Sequence, residues 1–266
     1  MDSITAAYFN DPEVEDGRYS FTNPVLPLVL ANYAFESLPA AYQGTVEQYG
    51  GVDIISFPAD GSAVVSFKGD PQARLIPTAA HSGDDFWWSN RYDSTFATLT
   101  RAVDLGGVNE ATLTYWTWYD IEEDWDYAYI LASRDGGQTW QTLASTSSRE
   151  DNPNNQNLGH GLSGRSGGGM EAAWVQEEVD LGAYAGESIL LRFAMQNDLV
   201  VNEFGFAVDD IAIEAVDWSD DAENGSADWQ TEGFVLSHNT VPQVWAVRGV
   251  AMGAGSILAV HDMSIA

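Results

Sequence analysis

The chain has 266 residues, 45% of them hydrophobic, with 40 Asp and Glu against 10 Lys and Arg and a formal net charge of −30. That length and apolar share suffice for one large core or two small ones, while the charge repels phosphate and disfavours both nucleic acid and an anionic membrane surface as partners. The acidic excess suits divalent cations, a salty medium or solubility, and the absence of cysteine rules out disulfides and thiolate metal sites.

Residues 1–43 are polar and punctuated by proline, and are expected to form an N-terminal extension or linker. They carry neither the basic start nor the apolar stretch of a signal peptide. The longest apolar run, VLPLVLANYAF at 25–35, is well short of the ~18 residues a membrane span requires. No membrane insertion is therefore expected, and an export signal, if the protein is exported, would lie outside this chain.

From there the pattern has period two. GSAVVSFKG (61–69), ATLTYWTW (111–118), DYAYILAS (126–133), WVQEEVDL (174–181), SILLRFAM (188–195) and FAVDDIAIE (206–214) are short, rich in aromatic or aliphatic residues and bounded by Gly, Asn, Asp or Pro. No stretch of a dozen residues carries a helical apolar stripe. The expected fold is all-β, a mostly antiparallel jelly-roll or β-sandwich with little helix. It is expected to span 44–216, with 217–266 as an appendage or the start of a second β unit. The last segment, GSILAVHDMSIA, shows no evident closing strand.

Several short motifs carry possible chemistry. Trp87 and Trp88 in DDFWWSN could stack on sugar rings or fill the core. Asp120, Glu122, Asp124 and Asp126 occupy every second position, so an extended strand would line them along one face. Their repulsion is relieved by a cation or by solvent, and calcium, which takes six to eight oxygen ligands, is the natural ion. Trp125 stands where an EF-hand loop needs glycine, which excludes that motif. Two close carboxylates beside many tryptophans also leave room for glycoside hydrolysis. SRDGGQTW (133–140) matches the Asp-box pattern of a tight β-hairpin, a structural role for Asp135.

EDNPNNQNLGHGLSGRSGGGM (150–170) forms a long loop, expected to be functional or mobile. It contains G-x-S-x-G around Ser166, but without the strand and helix that make a nucleophile elbow. Asp209 and Asp210 sit inside an apolar strand, where a carboxylate needs a partner or a metal. In calcium-binding jelly rolls a late-strand aspartate commonly joins a glutamate near the first strand, and Glu36 in YAFESLP is the candidate. The four histidines form no H-E-x-x-H, so no zinc site is expected.

Taken together, FWWSNRYDSTFATLTRAVDL (86–105), residues 111–140, WVQEEVDLGAYAGESILLRF (174–193), GFAVDDIAI (205–213) and SDDAENGSADWQTEGF (219–234) resemble the non-catalytic region of immune inhibitor A-type (M6 family) secreted metallopeptidases. GTVEQYGGVDIISF (44–57) is similar to the strand opening that region. The resemblance implies a MAM-like jelly roll, stabilised by calcium, accessory to a peptidase and extracellular or at the cell surface. It places Asp209 and Asp210 on the family's late-strand motif and Glu122, Asp124 and Asp126 on its acidic aromatic strand. The expected partner is a protein or glycan ligand, or a peptidase domain of the same parent protein. A carbohydrate-binding module or a glycoside hydrolase with paired carboxylates are the alternatives.

Overall fold

The computed structural model describes residues 33–46, 53–58, 63–253 and 256–263. The expected extension over 1–43 therefore lies outside the described residues as far as residue 32. The chain divides into two compact units, one of Gln72–Pro242, the other of Met1–Pro71 with Gln243–Ala266.

In the second of these, β1 (Tyr33–Ala34) pairs in parallel with β2 (Ile55–Ser56). The strand expected at 61–69 does not form over its described part, 63–69. Residues 63–69 have no regular structure and are mostly exposed, Val64 at 96%. Its short run of Val and Phe has no paired strand among the described residues, and β propensity is worth little without that partner. The tail, in contrast, does contain a strand: β16 (Val247–Gly253) and β17 (Ser256–Met263) form an antiparallel hairpin.

The Gln72–Pro242 unit is a β-sandwich. Its strands are β3 (Gln72–Arg74), β4 (Phe86–Trp88), β5 (Phe96–Asp104), β6 (Thr112–Asp120), β7 (Tyr127–Ser133), β8 (Gln141–Leu143), β9 (Val175–Asp180), β10 (Ser188–Gln196), β11 (Gly205–Ile213), β12 (Trp218–Asp220), β13 (Gln230–Glu232), β14 (Val235–Ser237) and β15 (Thr240–Pro242). One sheet has the order β13-β5-β10-β7-β8; the other runs β14-β4-β11-β6-β9, with β12 also on β11. From β4 to β11 the chain changes sheet at almost every connection, the winding of a jelly roll. β12, β13 and β14 pair within these sheets. Residues 218–237, expected to lie beyond the sandwich, therefore join it: β13 and β14 cover the open edges at β5 and β4 and β12 adds to β11, whereas β15 pairs with β3 in a separate two-stranded sheet.

Alternation explains the core. In β7, Ala128, Ile130 and Ala132 face the opposite sheet, while Tyr127, Tyr129 and Leu131 form a cluster on the outer face. In β6, Leu113, Tyr115 and Tyr119 point inward and Trp118 outward. β11 breaks the rhythm. Asp210 has φ 44° and the pairing with β6 shifts between Asp209 and Ala212. That bulge keeps Phe206 and Val208 in the core and returns Ile211 and Ile213 to it.

Candidate metal centre

The four alternating acids do not share a strand face. β6 ends at Asp120, and the chain then turns: Asp126 donates its N–H to the Glu122 carbonyl (3.0 Å), and Asp124 adopts φ 68°. The turn sends the carboxylates different ways. Asp120 accepts from Arg165 Nε at 2.8 Å. Asp124 accepts from Arg149 Nη2 at 2.6 Å, and the same guanidinium lies near Glu123 and Asp151. These two acids are neutralised by arginine, which leaves Asp124 out of any metal cluster among the described residues.

Glu122 and Asp126 converge instead, and Asp198 joins them. One carboxylate oxygen from each lies within 4.8 Å of the others. Asp198 was absent from the sequence expectations. The register shows why it arrives: Gln196 at the end of β10 sits opposite Tyr127 at the start of β7, so the residues after Gln196 reach Asp126. The Asp126 carboxylate, 1% exposed, accepts from Asn197 Nδ2 (2.9 Å) and from the Asp198 N–H (2.8 Å). Burial pushes its pKa up, and these two hydrogen bonds hold it partly back. Glu122 is also raised, first by desolvation and then by the charges of Asp198, Asp126 and Glu203.

The donor set is all carboxylate oxygen. Ligands of one calcium ion, at about 2.3–2.6 Å from it, lie no more than about 5 Å apart, which these oxygens satisfy. Zinc favours nitrogen and sulfur, and three of the histidines are engaged with other acids: His81 with Asp210, His160 with Glu150 and His238 with Asp85.

Asp209 and Asp210 lie apart from this cluster. Asp209 pairs with Trp116 and Gly205 with Asp120, so Asp209 stands four residues, about 13 Å, along the strand from the turn. Asp209 is fully buried on the outer face. Its Oδ2 accepts the N–H groups of His81 (2.9 Å) and Ser82 (3.2 Å), and its Oδ1 that of Asp210 (2.8 Å). Burial raises its pKa to about 6 against these donors. Asp210 contacts His81 Nδ1 at 2.5 Å and accepts from Ser82 Oγ at 2.8 Å, while the His81 ring stacks on Trp116 at 3.8 Å. The pair binds the 81–82 segment to the sheet.

The sequence model of the family described as immune inhibitor A-like, MAM domain, matches residues 62–239. The chain belongs to this family. Similar curated proteins include the pre-pro-metalloprotease PrtV of Vibrio cholerae serotype O1, 30% identical over 168 residues, 62% of this chain and 17% of that protein. Immune inhibitor A of Bacillus thuringiensis subsp. alesti is 26% identical over 162 residues, 59% of this chain and 22% of that protein. Bacillopeptidase F of Bacillus subtilis is 25% identical over 113 residues, 42% and 6%. The chain thus spans less than a quarter of each of these relatives.

Within this MAM domain the match covers Glu122, Asp126, Asp198, Asp209 and Asp210 but not Glu36. Glu36 is exposed and belongs to the other compact unit. Trp87 and Trp88 are 1% and 5% exposed and point to opposite faces, Trp87 into the core between the sheets and Trp88 into the outer cluster of Phe86 and Trp118. Neighbours on a strand must diverge in this way, so of the two readings, sugar stacking or core, the rings take the second, each in a different cluster. Ser166 is fully buried; its Oγ accepts the Tyr119 N–H (3.0 Å) and faces the Tyr119 carbonyl (3.3 Å), which fastens the glycine-rich loop to β6.

Proposed function

We propose that this MAM domain is a non-catalytic, calcium-stabilised accessory module of an extracellular, peptidase-type protein, with a binding rather than a chemical role. The observation that carries it is the convergence of Glu122, Asp126 and Asp198 from two chain segments, the 121–126 turn and the link between β10 and β11. Three carboxylates so close, one of them buried, repel one another unless protonated or shared by a cation. A calcium ion held there would tie the two segments together and favour the folded state, since the unfolded chain holds no such arrangement. In the relatives the matched stretch is a small part of a larger protein, which suits a module serving a neighbouring domain.

The test is a thermal melt of the 266-residue chain in EGTA and in excess calcium, with magnesium as a control. Calcium should raise the midpoint in the wild type, and D126N should remove the response. An equal midpoint with and without calcium would remove the metal role.

A further inference from the structure

The outer face of the five-stranded sheet carries a cleft of about 450 Å³ that takes no part in the acidic centre. Its lining includes Phe96 from β5, Leu131 from β7, Trp140 and Thr142 at β8, Leu158 from the long 150–170 loop, and Arg192 from β10. Phe96 and Leu158 are 43% and 61% exposed, so apolar surface stands open to solvent there. No acidic residue lines the cleft in a chain of net charge −30. Its cation, Arg192, lies over the Trp140 ring at 3.8 Å and donates Nε to Thr100 Oγ1 at 2.8 Å. No carboxylate comes within 4 Å of it among the described residues, although the charge of Glu232 on β13 acts on it from further off.

The walls are fixed in advance. Trp140 closes the Asp-box turn and donates Nε1 to the Gly137 carbonyl (3.1 Å). Asp135 accepts from the Thr139 N–H and hydroxyl, which tightens that turn. Leu158 is held by its own N–H to Tyr129 Oη (3.0 Å), and Asn157 Nδ2 reaches the carbonyls of Arg149 and Asp151. The cleft is a half-open depression rather than an enclosed pocket, with more apolar than polar surface and one placed charge, a shape that suits an extended segment laid across it more than a buried small molecule. It also gives work to the two motifs, the Asp-box turn and the long loop, that the metal centre leaves unused.

We propose that this cleft binds a peptide segment in which one carboxylate stands beside bulky apolar side chains. The carboxylate pairs with Arg192, whose planar guanidinium suits it, and the apolar groups pack against Phe96, Leu131 and Leu158. A sugar is the poorer fit, because the Trp140 ring already has Arg192 across one face. The inference rests on reading the chain as a binding module and is independent of calcium.

The test pans phage-displayed random heptapeptides on the intact 266-residue chain, then measures selected peptides by fluorescence anisotropy. Selected sequences should place Asp or Glu next to Leu, Ile, Phe or Trp. Replacing that acid by its amide should weaken binding about ten-fold, as should R192Q, and L158D at the exposed rim should do so without disturbing the fold. Both variants should keep the calcium-dependent melting shift of the wild type. Selection without acidic enrichment, no selection at all, or binding indifferent to both R192Q and L158D would overturn the proposal. Binding of oligogalacturonate that R192Q abolishes, with no peptide selected, would overturn it in favour of a glycan. A wild type that selects such peptides yet shows no calcium shift would sink the metal reading and leave this one standing.

Discussion

Asp209 and Asp126 are both buried aspartates on one sandwich, and both have pKa values pushed up by burial. Their surroundings differ. Asp209 receives three backbone N–H groups and stands beside a second acid that is itself paired with His81 and Ser82. Asp126 receives a side-chain amide, the Asp198 N–H and a weaker contribution from the Glu122 N–H, and then faces two further carboxylates. The first environment is complete from the chain's own groups. The second gathers more negative charge than its donors offset, which is the condition under which a cation contributes most. Burial of acid alone therefore does not mark a candidate metal centre; the balance of donors against carboxylates is what sets the Asp126 cluster apart.

The largest expected effect breaks the Asp209 side of that contrast. D209A removes the acceptor of three part-buried N–H donors, and at about 1 kcal/mol for each the loss should be about 3 kcal/mol. For a domain of this size that is a drop in melting temperature on the order of 10 °C. The drop should be the same in EGTA and in calcium. A D209A chain that loses its calcium response would place the metal at Asp209 and overturn the distinction.

Calcium removal should come next. At a free concentration a hundred-fold above the dissociation constant, a site on the folded state alone adds about 2.7 kcal/mol, or roughly 5–10 °C. In D126N and E122Q the calcium response should disappear, whereas D124N, which loses only the pairing with Arg149, should keep it. Isothermal titration with calcium chloride reads the same series directly.

Most of the framework was legible from the sequence because it depends on period-two burial. Five of the six quoted strand segments become β6, β7, β9, β10 and β11, each with one face in the shared core. The sixth, 61–69, reads the same locally, but its described part, 63–69, pairs with no sheet among the described residues. β4 and β5 went unmarked as strands by pattern: β4 is three residues long and buried on both faces, and β5 carries a buried run, 97–100, rather than a clean alternation. At the site, Glu122 and Asp126 were legible as acids in need of relief. Asp198 was not, because nothing local distinguishes Asn197-Asp198 from a polar loop; only the β7–β10 register brings it to Asp126. Likewise, the bulge at Asp210 decides which aspartate is buried, and an assumed regular alternation conceals it.

The contrast can be sharpened by pH. The folded state holds the Asp209 proton up to about pH 6, whereas an unfolded aspartate releases it near 3.9. Between those values the native state binds more protons, so this group's contribution is greatest at low pH and is lost as pH rises through 6. In metal-free buffer the melting temperature of D209N should therefore fall less steeply from pH 4 to pH 6 than that of the wild type. Identical slopes would show that the three N–H donors, rather than burial, govern the carboxylate.

Asp135 provides the opposite sign and the smallest effect. It is an exposed acid whose Thr139 hydroxyl, Thr139 N–H and Ser133 hydroxyl hold its pKa down at about 2. Here the folded state releases the proton more readily than the unfolded chain. Its contribution is present above about pH 4 and fades as pH falls towards 2. D135A should lower the melting temperature slightly at neutral pH, and the gap to wild type should close in acid. The same substitution loosens the turn that holds Trp140 beneath Arg192, so it should weaken peptide capture at the cleft while leaving the calcium response of Glu122, Asp126 and Asp198 intact. Three aspartates on one scaffold would then be told apart by what answers their charge: backbone amides at Asp209, a cation at Asp126, and a threonine and a serine at Asp135. If D135A instead altered calcium binding, the turn and the acidic centre would be coupled through β7, the strand that joins them, and the independence assigned to the cleft would fail.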